Sequence, residues 1–132
     1  MSGAAGEERE GDGAAADALL DARARVVHDL AVRGADTAPH VDAVDTAVRE
    51  RRWWLEAWPA GAEHVAGQVA QDVQEALLEG HGVRWPRCTV CDDTEPHELH
   101  VLPDLGPDPH WVCEASGLDG GPLGRLGRVQ RP

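Results

Sequence analysis

The residues best suited to chemistry lie close together in the last third of the chain. All three cysteines, Cys88, Cys91 and Cys113, fall in this stretch, with three of the seven histidines. Two cysteines separated by two residues can bind one metal ion from a single tight turn. A third cysteine and a histidine arriving from a hairpin would complete a tetrahedral shell, which structural zinc prefers. The pattern predicts a zinc-ribbon-like module holding a structural Zn²⁺.

The fourth ligand must be chosen between two histidines. On a strand, His97 would share one face with Leu99 and Val101, and this is the more continuously apolar face. His100 would share the opposite face with Leu102. Since a buried metal site belongs on the apolar face, His97 is preferred. The predicted ligand set is Cys88, Cys91, His97 and Cys113, with His100 as the substitute and His110 as the next candidate.

Other uses of these cysteines remain open. A redox Cys-x-x-Cys normally opens a helix after a strand, but the residues that follow Cys91 have no helical pattern. Inert free thiols are a second alternative. Gly61-Ala62-Glu63 followed by Pro86-Arg87 loosely matches a zinc deaminase pattern, yet glycine cannot bind zinc and Arg87 separates proline from cysteine. Four protein ligands would also leave no position for water, so a non-enzymatic role is favoured over a zinc hydrolase or deaminase-like enzyme.

The segment W-P-R-C-T-V-C … H-E-L-H … H-W-V-C resembles a family of short, uncharacterised, zinc-ribbon-like proteins from GC-rich bacteria. Their pattern is W-P-x-C-x-x-C/H … H-x-L … W-x-C, and the likeness spans about residues 65–126. The resemblance implies a metal-binding fold, and its motif places the same four ligands, with His97 rather than His100. The chain departs from it at Thr89 and Glu98, where proline is usual.

The elements that must position these residues are helical first and extended later. Residues 1–13 are small, polar and acidic, which predicts a disordered tail. Apolar spacings of three and four predict helices over about 14–33, 37–58 and 61–79. Short strands are expected near 83–87, 97–102 and 110–113, with turns at Ser116-Gly117 and Gly120-Gly121. Leu123, Leu126 and Val129 are expected to add a last strand or turn.

This pattern predicts an α+β protein. It divides into a tail (1–13), a helical unit of about three helices (14–80) and a zinc-ribbon-like β module (81–132).

The chain of 132 residues has no Phe or Tyr, and every basic side chain is Arg. A core built from Ala, Val, Leu and five Trp buries little area per residue, so a bound metal would be a useful staple.

The net charge of −12 argues against a surface that follows nucleic-acid phosphates. We therefore favour an accessory or protein-interaction module whose partner is another protein, and a nucleic-acid-associated zinc-ribbon factor is the alternative.

Reduced, metal-bound cysteines fit a cytoplasmic protein better than a secreted one. No apolar run approaches the ~20 residues of a membrane span, so no membrane association is expected.

Two aromatic groups have two interpretations each. Arg49–Arg52 beside Trp53 and Trp54 could form a binding surface, or one Trp could pack inward while the arginines solvate the outer face. Trp85 and Trp111 each precede a ligand by two or three residues. They could form a wall of the metal site or an aromatic peptide-binding face.

The charge yields a first prediction. At physiological salt the protein should show no measurable binding to duplex DNA in a fluorescence anisotropy assay. Even non-specific binders reach Kd values of roughly 10⁻⁴ to 10⁻⁶ M there, but they do so through dense Lys and Arg. A micromolar complex would overturn the prediction and make Arg49–Arg52 a candidate nucleic-acid surface.

Overall fold

A computed structural model describes residues 2–91 and 95–127, with side chains from Gly13 onward. Helices come first and strands last, so the predicted α+β layout is confirmed. None of the described helices is long and apolar enough to cross a membrane. The elements are α1 (Ser2–Val32), α2 (Ala38–Ala57), a 3₁₀ turn (Pro59–Glu63), α3 (Val65–His81), β1 (His100–Leu102), β2 (His110–Val112) and β3 (Asp119–Pro122).

The helices match the predicted ones in number but differ at their starts. Helical backbone begins at Ser2 rather than near residue 14. The third helix begins at Val65 rather than at Gly61, because Gly61 lies in the 3₁₀ turn, packed closely against the rings of Trp54 and Trp58. The bounds of the helices do not test the predicted division of the chain into a tail, a helical unit and a β module. That division, at residues 13 and 80, stays a prediction.

Two of the three predicted strands form, and the first is wrong. The segment 83–87 makes only a single antiparallel bridge, between Arg87 and Glu98. The reason is Pro86, which has no N–H to continue a ladder. β1 and β2 are shorter than expected but pair antiparallel, with Val101 opposite Trp111.

The third strand, β3, lies where a turn was expected, and it pairs antiparallel with β2. One of its glycines is required by close packing. A Cβ on Gly121 would lie 2.6 Å from the backbone oxygen of Arg125, and the φ of Gly121 is +114°, so this position requires glycine. Leu123 and Leu126, just beyond β3, are buried as expected, while Val129 lies outside the described residues.

Helices and strands share one hydrophobic core. The sheet and its loops therefore pack on the helices instead of forming a separate unit with a core of its own. Residues from both parts are 0–4 % exposed: Leu19, Ala22, Val26, Leu30, Val44, Ala47, Leu55, Val65, Val69, Ala70, Val73, Leu77, Trp85, Leu99, Val101, Trp111, Cys113, Leu123 and Leu126.

The arginine cluster of α2 is used in part for helix packing. Arg51 donates two hydrogen bonds to Asp72 of α3, at 2.6 and 2.9 Å, and its guanidinium lies 5.2 Å from the ring centre of Trp54. This pairing holds the pKa of Arg51 above its ordinary value. Trp54 packs on the core while Trp53 is 76 % exposed, as the structural interpretation expects.

A single buried carboxylate links α1 to the C-terminal part. Asp29 is fully buried, and it accepts hydrogen bonds from the indole N–H of Trp111 at 2.8 Å and from the backbone N–H groups of Gly124 and Leu126 at 2.7 and 3.1 Å. His28 lies 3.1 Å away on the surface side. Asp29, at one position on α1, therefore accepts hydrogen bonds from three donors of the C-terminal part.

Removing this acceptor yields a second prediction. Asp29→Ala should lower the free energy of unfolding by about 3 kcal/mol or more, because each buried donor left without a partner costs about 1–3 kcal/mol. Urea unfolding followed by circular dichroism measures the change. Asp21→Ala is the matched control. Its exposed pair with Arg25 should contribute less than about 1 kcal/mol. Equal effects of the two substitutions would contradict the role of Asp29.

Candidate metal centre

The first two cysteines lie on a short hairpin ahead of β1. The N–H of Cys88 donates to the carbonyl of His97 at 2.7 Å, and the N–H of Leu99 donates to the carbonyl of Pro86 at 2.8 Å. These bonds place the segment 86–88 antiparallel to 97–99. The tight spacing of Cys88 and Cys91 then brings both thiols back toward His97.

The third cysteine lies at the end of β2 and opens a tight turn. The N–H of Gly117 donates to the carbonyl of Cys113 at 2.7 Å, and the N–H of Cys113 donates to the carbonyl of Leu118 at 2.9 Å. Gly117 has a φ of +74°, in the left-handed region that glycine adopts without strain. Cys113 is therefore the first residue of this turn, and Ser116 lies three residues later, where a second Cys-x-x-Cys pair would have its other cysteine.

The fold brings the four predicted residues to one point. The nearest ligand atoms of Cys88, Cys91, His97 and Cys113 all lie within 4.8 Å of one another. The sulfurs of Cys88 and Cys91 are 3.6 Å apart, which is far beyond the ~2.05 Å of a disulfide bond. Nε2 of His97 lies 3.4 Å from the sulfurs of both Cys91 and Cys113. Such a Cys₃His group could hold a metal ion.

The orientation of the His97 ring suits a ligand. Its Nδ1 lies 2.8 Å from the carbonyl oxygen of Glu95, which can only accept a hydrogen bond. Once the ring has lost its second proton, this contact favours the Nδ1–H tautomer, in which the lone pair of Nε2 faces the sulfurs. Metal-binding histidines commonly fix their ring in this way, by donating the other N–H to a carbonyl.

The side chains of the group shift one another's pKa values. The hydrogen bond to the Glu95 carbonyl and the contact with Cys113 raise the pKa of His97 to about 9. A hydrogen bond from Ser116, followed by the contact with His97, lowers the pKa of the Cys113 thiol to about 6. At neutral pH, Cys113 is therefore ready as a thiolate ligand, whereas His97 must lose a proton when a metal binds. Metal affinity should accordingly fall as the pH is lowered.

Arg33 ties the first knuckle to the end of α1. Its guanidinium donates to the carbonyl of Arg87 at 2.8 Å and to that of Gly127 at 3.0 Å. Burial lowers its pKa from the ordinary value, while the nearby Asp29 and Cys88 act in the opposite direction. One side chain of the helical part thus holds both the loop before Cys88 and the loop after β3.

The two alternative histidines lie outside the group. His100 is 3.7 Å from the carboxylate of Glu114, and His110 is 2.8 Å from that of Asp119. The face assignment on which His97 was preferred is supported by burial, because Leu99 and Val101 are fully buried while Leu102 is 42 % exposed.

The tryptophans near the ligands are part of the core. Trp85 and Trp111 are 3 % and 0 % exposed and contact each other edge to face, with ring centres 5.2 Å apart. They belong to the same hydrophobic core as Cys113. Both rings are therefore part of the core and do not form an exposed aromatic face.

Three residues that support the site were not identified from the sequence as such. Asp29 interrupts the apolar stripe of α1 at helical spacing from Val26, and a charged residue on a buried stripe signals a buried partner. Ser116 followed by Gly117 reproduces the spacing of a second knuckle without its cysteine. Arg33 has no local signal, since its partners are 54 and 94 residues away in the chain.

Comparison with known proteins places the chain in one family. A family model described as Domain of unknown function (DUF8819) matches residues 15–123, which include every residue of the metal group. No curated protein and no solved structure matches the chain.

The geometry yields a prediction that separates the two histidines. His97→Ala should lower the melting temperature by more than about 10 °C and make it sensitive to chelator, since it opens the metal shell whose binding energy supports folding. His100→Ala is the matched control and should lower it by less than about 4 °C. Thermal melts with and without EDTA measure both. A damaging His100→Ala with a silent His97→Ala would show that the other face of the strand binds the metal.

Proposed function

We propose that this chain, which belongs to the DUF8819 family, is a small zinc-binding module whose Cys₃His group holds one structural Zn²⁺. The role we assign to the module is accessory, as a zinc-ribbon-like unit that presents a surface to another protein. The observation that supports the metal most directly is the convergence of four ligand atoms from three separate segments of the chain.

The spacing of the ligand atoms fits zinc. A tetrahedral Zn²⁺ with Zn–S of about 2.3 Å and Zn–N of about 2.0 Å would separate two sulfurs by about 3.8 Å, and a sulfur from a nitrogen by about 3.5 Å. The corresponding distances here are 3.6 Å for Cys88–Cys91 and 3.4 Å for each of the two sulfur–Nε2 pairs. These three pairs already have the spacing of a zinc site, and all four ligand atoms lie within 4.8 Å of one another, so binding would draw any wider pair together.

The donor set supports zinc over other common metals. Three thiolates and one imidazole form a soft, tetrahedral shell of the kind that structural zinc sites use, whereas Mg²⁺ and Ca²⁺ prefer oxygen ligands. The bound ion would supply folding energy by joining the hairpin 86–99 to the turn that follows β2. Because all four positions are filled by protein atoms, no position remains for a reactive water, which favours a structural over a catalytic metal.

The setting of the site favours a reducing compartment, and we propose the cytoplasm. None of the three cysteines forms a disulfide bond, and Cys88 and Cys91 are partly exposed. They must stay reduced to bind a metal, which the cytoplasm ensures and oxidising compartments do not. The net charge of −12 favours a protein partner over nucleic acid.

Native mass spectrometry of the purified protein tests the proposal. The wild-type chain should contain close to one zinc ion, and Cys91→Ala should lose it because the shell is then incomplete. Ser116→Ala is the control and should keep the ion, since a serine hydroxyl is not among the usual zinc ligands. A folded wild-type chain that contains no metal and whose thiols all react with a thiol reagent would refute the proposal.

A further inference from the structure

A groove of about 290 Å³ lies between α3 and the outer edge of β1, away from the metal group. Its wall is formed on one side by α3 and on the other by the strand and the segment 83–85. Apolar and acidic side chains share this lining. The residues that line it are Gln71, Gln74, Glu75, Leu78, Val83, Arg84, Trp85, Glu98, His100, Val101, Leu102, Asp104 and Glu114.

The groove exists because the ladder next to β1 stops at a proline. Pro86 accepts a hydrogen bond from the N–H of Leu99 but has no N–H to return to the Leu99 carbonyl. Gln74 of α3 takes that role, since its side-chain amide donates to the carbonyl of Leu99 at 2.7 Å and to that of Trp85 at 3.1 Å. Beyond this point no backbone bonds join 83–85 to β1 within the described residues, and the groove lies between them.

The edge of β1 faces this groove with its backbone. His97 and Leu99 direct their backbone groups toward the segment 86–88. Because these directions alternate along a strand, Val101 directs its N–H and carbonyl to the same side, where the ladder has ended. Val101 itself is 1 % exposed, so an incoming segment would contact the exposed side chains of Leu78 and Leu102 rather than the backbone of Val101.

One residue in the lining of the groove has a donor that lacks an acceptor. The indole N–H of Trp85 is buried, and no hydrogen-bond partner for it exists among the described residues. Buried donors are nearly always paired, so an orphan in the lining of an open groove suggests that a bound molecule supplies the acceptor. A peptide carbonyl has the required chemistry.

The charge of the groove selects a basic occupant. The lining of the groove contains four carboxylates and one guanidinium, that of Arg84. Its formal charge is therefore −3 when His100 is counted as neutral. Glu98 is paired with Arg84 at 3.2 Å and Glu114 with His100 at 3.7 Å. Glu75 and Asp104 have no ion-pair partner in the part of the chain that the structure describes.

We propose that this groove binds an extended, arginine-bearing segment of a partner protein. The stem of the arginine lies along Leu78 and Leu102, the exposed apolar side chains of the lining. The guanidinium meets Glu75 and Asp104, because the planar fork of arginine matches a carboxylate better than the ammonium of lysine does. The volume suits one long side chain with its flanking backbone. This binding mode rests on the proposed role in protein interaction. The groove requires a folded chain, but it does not depend on which metal the chain holds.

Binding of a blocked, fluorescein-labelled peptide, acetyl-Gly-Leu-Arg-Leu-Gly, to the full zinc-loaded chain tests the proposal by fluorescence anisotropy. The double variant Glu75→Gln with Asp104→Asn should weaken binding at least about tenfold, because both guanidinium partners are removed. The control double variant Glu50→Gln with Glu56→Gln removes the same charge from exposed positions of α2 and should bind within about twofold of wild type.

Nuclear magnetic resonance locates the peptide. The indole N–H signal of Trp85 should move during the titration, while that of the exposed Trp53 should not. Equal weakening by both double variants would show that the peptide is held by general charge attraction, and this would overturn the proposal. The proposal would also be overturned if the peptide did not bind, or if acetyl-arginine amide bound with the same affinity as the peptide. Metal content is measured on the same samples. Specific peptide binding by a folded but metal-free chain would uphold the groove and refute only the structural zinc.

Discussion

The fold depends on a buried carboxylate. Asp29 lies on α1 at full burial and serves as acceptor for Trp111 of β2 and for two backbone N–H groups of the loop after β3. A fully buried charge is costly unless its hydrogen bonds are complete, and an unpaired buried donor is costly as well. The helical part and the sheet therefore fit together in one arrangement, the one in which these groups meet.

This constraint reaches the metal centre through β2. Trp111, which binds Asp29, precedes Cys113 by two residues, so the strand held by the carboxylate delivers one ligand. Arg33, four residues after Asp29, holds the loop that delivers Cys88. A core rich in Ala and Val provides little stabilisation per residue, and the proposed metal and the buried carboxylate would both fix the C-terminal part.

Much of this could be predicted from sequence, because it rests on short-range patterns. Apolar spacing predicted three helices, and strand alternation separated His97 from His100. What could not be predicted depends on contacts distant in the chain. β3 was taken for a turn because Gly120 and Gly121 indicate one locally, whereas the close approach of the Arg125 backbone is what requires glycine at position 121. The strand expected at 83–87 does not form because Pro86 ends its ladder. Asp29 and Arg33 find their partners only in the folded chain.

X-ray absorption at the zinc edge of the purified protein tests whether the metal has a closed Cys₃His shell. We expect a first shell of three sulfurs at about 2.3 Å and one nitrogen at about 2.0 Å, with the outer scattering of a single imidazole. A shell with an oxygen in place of the imidazole nitrogen, or with two sulfurs and two light atoms, would contradict it. Such a shell would mean that the site is open to solvent or uses other residues.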